Sequence, residues 1–254
     1  MIDAHVNITP NGKWFNTSHD ASLERLLDEM AEHNIRQCLL ISVPGACENR
    51  WLAGVVERYP EKFRAFAHLD FQKLLKPQLL EIEAMGYAGV KLHPRSQGIY
   101  CLDARWESLF AFLNKREIPV MIDGYYQTAG HTPLLNQLTP FYYDALAKKY
   151  TQMQIILSHM GAHRVFDAYY LAKSNPNVWL DNSHVLQYFS GTTLISDFNW
   201  VMDMLDEKVI YGSDFPEYSL GEYYKTFRDV CLLRKTVRPE LIETNISKLV
   251  SFGD

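Results

Sequence analysis

The chain has 254 residues, 47% of them hydrophobic and 13% aromatic, with a net charge of −5 and a pI near 6.0. That composition fills a large core and is unlike that of a disordered chain. The acidic balance leaves no electrostatic footprint for nucleic acid, and no apolar run reaches the ~18 residues of a membrane span.

A first strand is predicted from Ile2, which leaves no room for a signal peptide, so a cytoplasmic location is expected. Cys38, Cys47, Cys101 and Cys231 are widely spaced with no CxxC pair. They read as buried or incidental thiols rather than a disulfide framework or thiolate zinc site.

Eight apolar runs follow one another: IDAHVNI (2–8), RQCLLISV (36–43), FRAFAHLD (63–70), AGVKLHP (88–94), IPVMIDG (118–124), QIILSHMG (154–161), VWLDNS (178–183) and VIYGSDFP (209–216). Their starts lie 24 to 36 residues apart, an interval that fits one strand and one crossover helix. Several are continuously apolar, as expected of strands covered on both faces. Helical periodicity fills the gaps. Leu23, Leu26, Leu27 and Met30 form an apolar face, with Asp20 as the expected N-cap. Leu79, Leu80 and Met85 precede Gly86, the expected C′ residue. Trp106, Leu109, Phe110 and Leu113 repeat the pattern, as do Leu194, Phe198, Val201, Met202 and Leu205; Pro239 is expected to open a last helix running through Leu249.

Such βα alternation forms a closed barrel or an open doubly wound sheet. Neither GxGxxG nor GxxxxGK[ST] follows an early strand, and eight nearly regular units favour closure. The prediction is one α/β domain over 1–254, a single (β/α)₈ TIM barrel. Loops entering the strands are short. Those leaving them are long, including TPNGKWFNTSHD, GYYQTAGHTP and NSHVLQYFSGTT. Barrel enzymes build their sites from the latter.

The strand ends are polar. They present His5 and Asn7, His68 and Asp70, Lys91 and His93, Asp123, His159, Asp181 and Asn182, and Asp214. Each has an ordinary alternative: a satisfied structural histidine, a turn residue for Asp123 and Asp214, a paired ammonium for Lys91. Gathered at one end they suggest a site, because buried charge is costly unless paired or metal-bound. Two histidines and two carboxylates suit zinc or a similar divalent ion, which would activate a bound water. Asp214 is then the candidate base or ligand at that water, and His159 the group that orients or polarises the reacting atoms. Lys91, His93, Arg95 and Tyr125 are candidates for substrate binding. Arg95 and Arg164 suit a carboxylate, and Trp14, Phe15, Tyr100, Tyr125, Tyr126, Tyr188, Phe189 and Tyr218 decorate the long loops, where they could line a pocket or form a homodimer contact.

IDAHVN, GVKLHP, ILSHMG and YGSDFP stand in this order along the chain, and NISKLVSFG closes it. The set resembles the amidohydrolase-related family, the superfamily branch that includes aminocarboxymuconate-semialdehyde decarboxylase. The resemblance implies a metal-dependent-hydrolase barrel, with His159 as the strand 6 histidine near the catalytic water and Asp214 as the strand 8 aspartate. Members usually open with an HxH pair, read here as His5-Val6-Asn7, and carry a histidine near the end of strand 5, where Asp123 stands. A metal set of His5, Asn7, Asp123, His159 and Asp214 is thus implied. It would be harder than usual, holding zinc loosely or preferring manganese or magnesium. Pyrone-dicarboxylate lactonases in the family are understood to hydrolyse without metal. Four functions follow: a metal-assisted hydrolase of a small amide, ester or lactone, with a carboxylate on the substrate; a decarboxylase on the same site; a metal-free lactonase; and a non-catalytic binding barrel with a degenerate metal site.

Overall fold

The apolar runs become strands because both of their faces are covered. The computed structural model describes residues 1–99, 104–125 and 138–252. Its strands are β1 (Ile2–Val6), β2 (Gln37–Ile41), β3 (Phe63–His68), β4 (Gly89–Leu92), β5 (Val120–Ile122), β6 (Ile155–Leu157), β7 (Val178–Asp181) and β8 (Val209–Ile210). Each pairs in parallel with the next, in sequence order. The chain then closes on itself. Ala4 N donates to Tyr211 O at 3.0 Å, Asn7 N to Phe215 O at 2.7 Å, and Asp214 N to His5 O at 2.9 Å. The expected (β/α)₈ barrel is the fold.

Inside the barrel, Ile2, Ala4, Leu39, Ile41, Phe66, Met121, Ile156 and Ile210 meet Ile246, Val250 and Phe252 from the end of the chain. Burying each such aliphatic or aromatic side chain contributes about 1.5–3 kcal/mol. Between strands and helices, a second apolar layer runs from Val90 and Trp106 to Tyr211 and Phe227. Lower layers are therefore greasy, and polar residues are left to the upper mouth.

The ladders are shorter than the apolar runs. Asp123, Ser158, His159, Asn182 and Asp214 all lie just beyond the last paired residue of their strands. Two helix expectations need correction. The helix Leu23–Glu32 is capped by Ser22, whose hydroxyl accepts from Arg25 N, while Asp20 instead accepts from Ser22 N at 2.8 Å. The stretch after Pro239 is a helical turn, Pro239–Ile242, followed by a separate 3₁₀ turn, Asn245–Lys248. Asn245 breaks it because its side chain turns inward to the carbonyls of Asp206 and Val209, both at 2.6 Å. Gly86, at φ 73°, follows the helix Leu75–Ala84 and its cap residue Met85, as expected for a C′ glycine. Cys38, Cys47 and Cys231 are free and buried, and Cys101 lies outside the described residues. Among the described residues, no helix is long and apolar enough to cross a membrane.

Candidate active site

The ends of β1 and β8 are tied together by one carboxylate. Asp3 Oδ1 accepts from His5 N at 3.1 Å and from Ser213 N at 3.0 Å. This takes His5 out of the regular ladder, where the β1 register shifts. His5 and Asn7 then face the mouth. Ser213 is followed by Asp214, held at φ 67°. Two other mouth residues share this uncommon backbone: His159 at φ 58° and His184 at φ 67°. Non-glycine residues in the left-handed region cost on the order of 1 kcal/mol or more, and such strain gathers at functional sites.

The polar groups form a connected ring. His5 Nδ1 lies 2.6 Å from Asp181 Oδ2, and His5 Nε2 lies 3.6 Å from Asp214 Oδ1. Burial, followed by the Lys91 charge, pushes the His5 pKa down. Burial pushes Asp181 up, but the His5 contact outweighs it and holds the carboxylate below its usual range. In this pair Nδ1 of His5 stands in position to donate to the Asp181 carboxylate. Ser183 Oγ bridges two imidazoles, 2.9 Å from His5 Nδ1 and 3.0 Å from His159 Nδ1.

His159 is of the opposite kind. Its Nδ1 lies 3.1 Å from Ser183 O and its Nε2 3.4 Å from Asp123 Oδ1. Burial works against its charged form, but Asp123 and Asp214 outweigh burial and raise its pKa. With an acceptor at Nδ1 and the Asp123 carboxylate facing Nε2, the site favours the protonated ring of His159. Asp123 also faces Arg95 at 3.6 Å and His93 at 3.9 Å. Despite burial, the His159 contact, then the His93 contact and the Arg95 charge, hold it well below the usual carboxylate range. Lys91 is wholly buried and donates to Ser158 Oγ at 2.7 Å. Burial lowers its pKa, against the pull of Asp123, Asp181 and Asp214.

Asp214 is the carboxylate nearest solvent. Its side chain is 19% exposed, against 4% for Asp123 and 0% for Asp181. Asn7 Nδ2 lies 3.3 Å from its Oδ1, and His184 Nδ1 3.4 Å from its Oδ2. Burial raises its pKa, but His184, His5 and His159 outweigh burial and keep it strongly ionised.

The metal set implied by the resemblance does not fit this arrangement. Asn7 Nδ2 donates to Phe215 O at 3.0 Å as well as facing Asp214. Flipping the amide would set oxygen against oxygen at both contacts, so Asn7 presents a donor where a ligand needs a lone pair. Asp123 and His159 are turned to each other. His5 and Asp214 remain as a pair, and among the described residues no three His, Cys, Asp or Glu side chains form a group that could hold a metal ion.

Other expectations fall away from the mouth. His68 pairs with Ser42 Oγ at 2.8 Å, and with Asp70 it lines a separate groove of about 550 Å³. Asn182 turns to Met202 Sδ at 3.6 Å. Arg164 pairs with Asp167 at 2.5 Å on the surface. Tyr125 does reach the mouth, with the Arg95 guanidinium 5.8 Å from its ring centre. Tyr100 and Tyr126 lie outside the described residues. Two mouth residues were not singled out from sequence, Ser183 and His184. They sit inside the long loop after β7, and their place directly behind Asp181-Asn182 was the available signal.

Comparison with known proteins agrees with the barrel fold. The amidohydrolase family model matches residues 2–252. The uncharacterised TIM-barrel protein Bb4693 of Bordetella bronchiseptica is 20% identical, with 98% of each chain covered and a TM-score of 0.80. A probable 2-pyrone-4,6-dicarboxylic acid hydrolase of Acinetobacter baumannii, solved with citric acid bound, is 17% identical over 100% of this chain and 99% of that one, with a TM-score of 0.70. The 2,6-dihydroxybenzoate decarboxylase of Rhizobium is 14% identical over 98% and 97%, with a TM-score of 0.71. A further neighbour, an amidohydrolase of Burkholderia multivorans, carries bound zinc. None of the curated proteins compared with the chain matches it. At these identities the solved structures establish the fold, whereas the family model spans nearly the whole sequence: the chain is an enzyme of the amidohydrolase family.

Proposed function

We propose that this chain is a hydrolase that opens a small carboxylate-bearing lactone or ester by attack of a water held at Asp214, without a resident metal. One observation carries the reading. The solvent-nearest carboxylate of the mouth, Asp214, is framed by Asn7 at 3.3 Å, His184 at 3.4 Å and His5 at 3.6 Å. An ionised carboxylate in that frame accepts a hydrogen bond from water and draws off one of its protons as the oxygen attacks. His159, as an imidazolium, stabilises the negative charge that develops on the acyl oxygen. Lys91 and Arg95 give the mouth the positive charge that suits an anionic substrate, and Tyr125 and His93 stand beside Arg95. An alkoxide leaves more readily than an amine anion, so an ester or lactone suits a site that relies on side chains alone. The likeness to a probable 2-pyrone-4,6-dicarboxylic acid hydrolase supports the lactone class.

The test is hydrolysis of a panel of lactone and ester carboxylates, including 2-pyrone-4,6-dicarboxylate, by protein treated with chelator, alongside metal analysis of untreated protein. Full activity after chelation, with one oxygen from labelled water in the product, is expected. Stoichiometric metal that His5→Ala loses, together with activity lost on chelation, would instead establish metal-assisted hydrolysis. The second reading is decarboxylation on the same cationic mouth, supported by the likeness to 2,6-dihydroxybenzoate decarboxylase. Carbon dioxide released without water incorporation would select it.

A further inference from the structure

Of the imidazoles in the mouth, His184 is the one with both ring nitrogens outside any hydrogen bond. Its residue is 8% exposed, and neither ring nitrogen has a hydrogen-bond partner. Nδ1 instead stands 3.4 Å from Asp214 Oδ2, as an ion-pair contact. The backbone is held at φ 67°, where an imidazole gains nothing over glycine. By contrast, His5 is engaged by Asp181 and Ser183, and His159 by Ser183 and Asp123. His93 also has an unpartnered nitrogen, Nε2, but its Nδ1 faces Asp123 rather than Asp214. His184 thus combines backbone strain, unpartnered nitrogens and contact with the reactive carboxylate.

Its orientation is nevertheless well determined. The ring stacks on Tyr188 at 4.9 Å, meets the Tyr125 ring edge-on at 4.8 Å and lies 5.5 Å from Tyr218. Rings on three sides leave the imidazole few rotamers, which is the preorganisation a proton-handling group needs. Tyr188 is half exposed, so the cage stands at the rim, where a substrate enters.

We infer that His184 is a catalytic residue that works with Asp214 to carry one proton from the attacking water to the leaving oxygen. The step rests on the hydrolytic reading above and balances as follows. The water oxygen bonds to the acyl carbon, and one water proton passes to Asp214. Asp214 passes the proton on across the 3.4 Å contact to His184 Nδ1. The proton on His184 Nε2 goes to the leaving oxygen as the carbon–oxygen bond breaks. The products are a carboxylic acid and an alcohol, and exchange with solvent restores the starting tautomer.

The measurement compares two leaving groups in wild-type protein, His184→Asn and Asp214→Asn. Asparagine tolerates the left-handed backbone, and unfolding curves confirm that the variant is folded. A γ-lactone bearing a carboxylate has a poor leaving group that needs a proton. The mono-4-nitrophenyl ester of succinate has a good one that does not. His184→Asn is expected to lower kcat on the lactone by about 100-fold or more and on the nitrophenyl ester by less than about 5-fold, because proton donation is worth little there. Equal losses on the two substrates, or no loss on the lactone, would overturn the assignment. Asp214→Asn is expected to lose both activities; if it keeps them, the hydrolytic reading itself fails. Wild-type protein that turns over neither substrate overturns both.

Discussion

Asp181 Oδ2 stands 2.6 Å from His5 Nδ1, and this contact decides which nitrogen of His5 faces Asp214. With Nδ1 engaged by Asp181, Nε2 is the nitrogen that faces the Asp214 carboxylate, 3.6 Å away. Asp181→Asn removes a buried charge-assisted hydrogen bond, worth about 1.5–3 kcal/mol. It also lets the imidazole take either tautomer. A fall in kcat/KM of about 10- to 150-fold, from the same energy, is expected from steady-state kinetics with little change in fold by circular dichroism. An Asp181→Asn variant as active as wild-type protein would show that the His5 tautomer does not matter to the reaction.

Lys91 is wholly buried among Asp123, Asp181 and Asp214. Replacing it with methionine keeps most of the volume and leaves the carboxylates short of one cation. The ammonium's hydrogen bond to Ser158 Oγ is worth about 1.5–3 kcal/mol, and Lys91→Met should lose about that much in urea unfolding at neutral pH. If its stability equals that of wild-type protein, the ammonium does not balance the acidic ring.

His93 provides a pH signature. Burial, against the pull of Asp123, lowers its pKa to about 4 from 6.5. The folded state thus favours the neutral ring, and below pH 6.5 the unfolded chain binds more protons. This contribution is fully present above pH 6.5, declines as pH falls from 6.5 toward 4, and is exhausted below that. His93→Gln cannot titrate. On going from pH 7 to pH 4.5, wild-type protein should lose about 2–3 kcal/mol relative to His93→Gln, read from paired urea midpoints. Parallel pH profiles for the two proteins would contradict this assignment.

Gly212 lets β8 approach β1. A Cβ at this position would lie 2.7 Å from His5 Cβ and 3.1 Å from Asp181 Oδ1. Gly212→Ala must therefore push His5 away from Asp181, at a cost of about 1–3 kcal/mol in stability and with a fall in kcat. Gly191→Ala, with nothing within 4 Å of the added carbon, is the matched control and should change neither.

The amino-acid sequence by itself determined the barrel. Two-sided apolar strands at near-regular spacing have few ways to bury both faces, so β1 to β8 and their closure follow from periodicity. It also determined which end carries the chemistry, because His5, Asn7, Lys91, Asp123, His159 and Asp214 all follow apolar runs. Tertiary structure alone decided how those residues meet. Asn7 and Asp123 have the composition of metal ligands, but Phe215 O claims the Asn7 amide, and His159, His93 and Arg95 surround the Asp123 carboxylate. His184 reads in sequence as one polar residue in a long loop, and its importance rests on a backbone angle and on tyrosines from its own loop and two other segments. Hydrogen-bond direction and local strain depend on residues distant along the chain, and no local pattern encodes them.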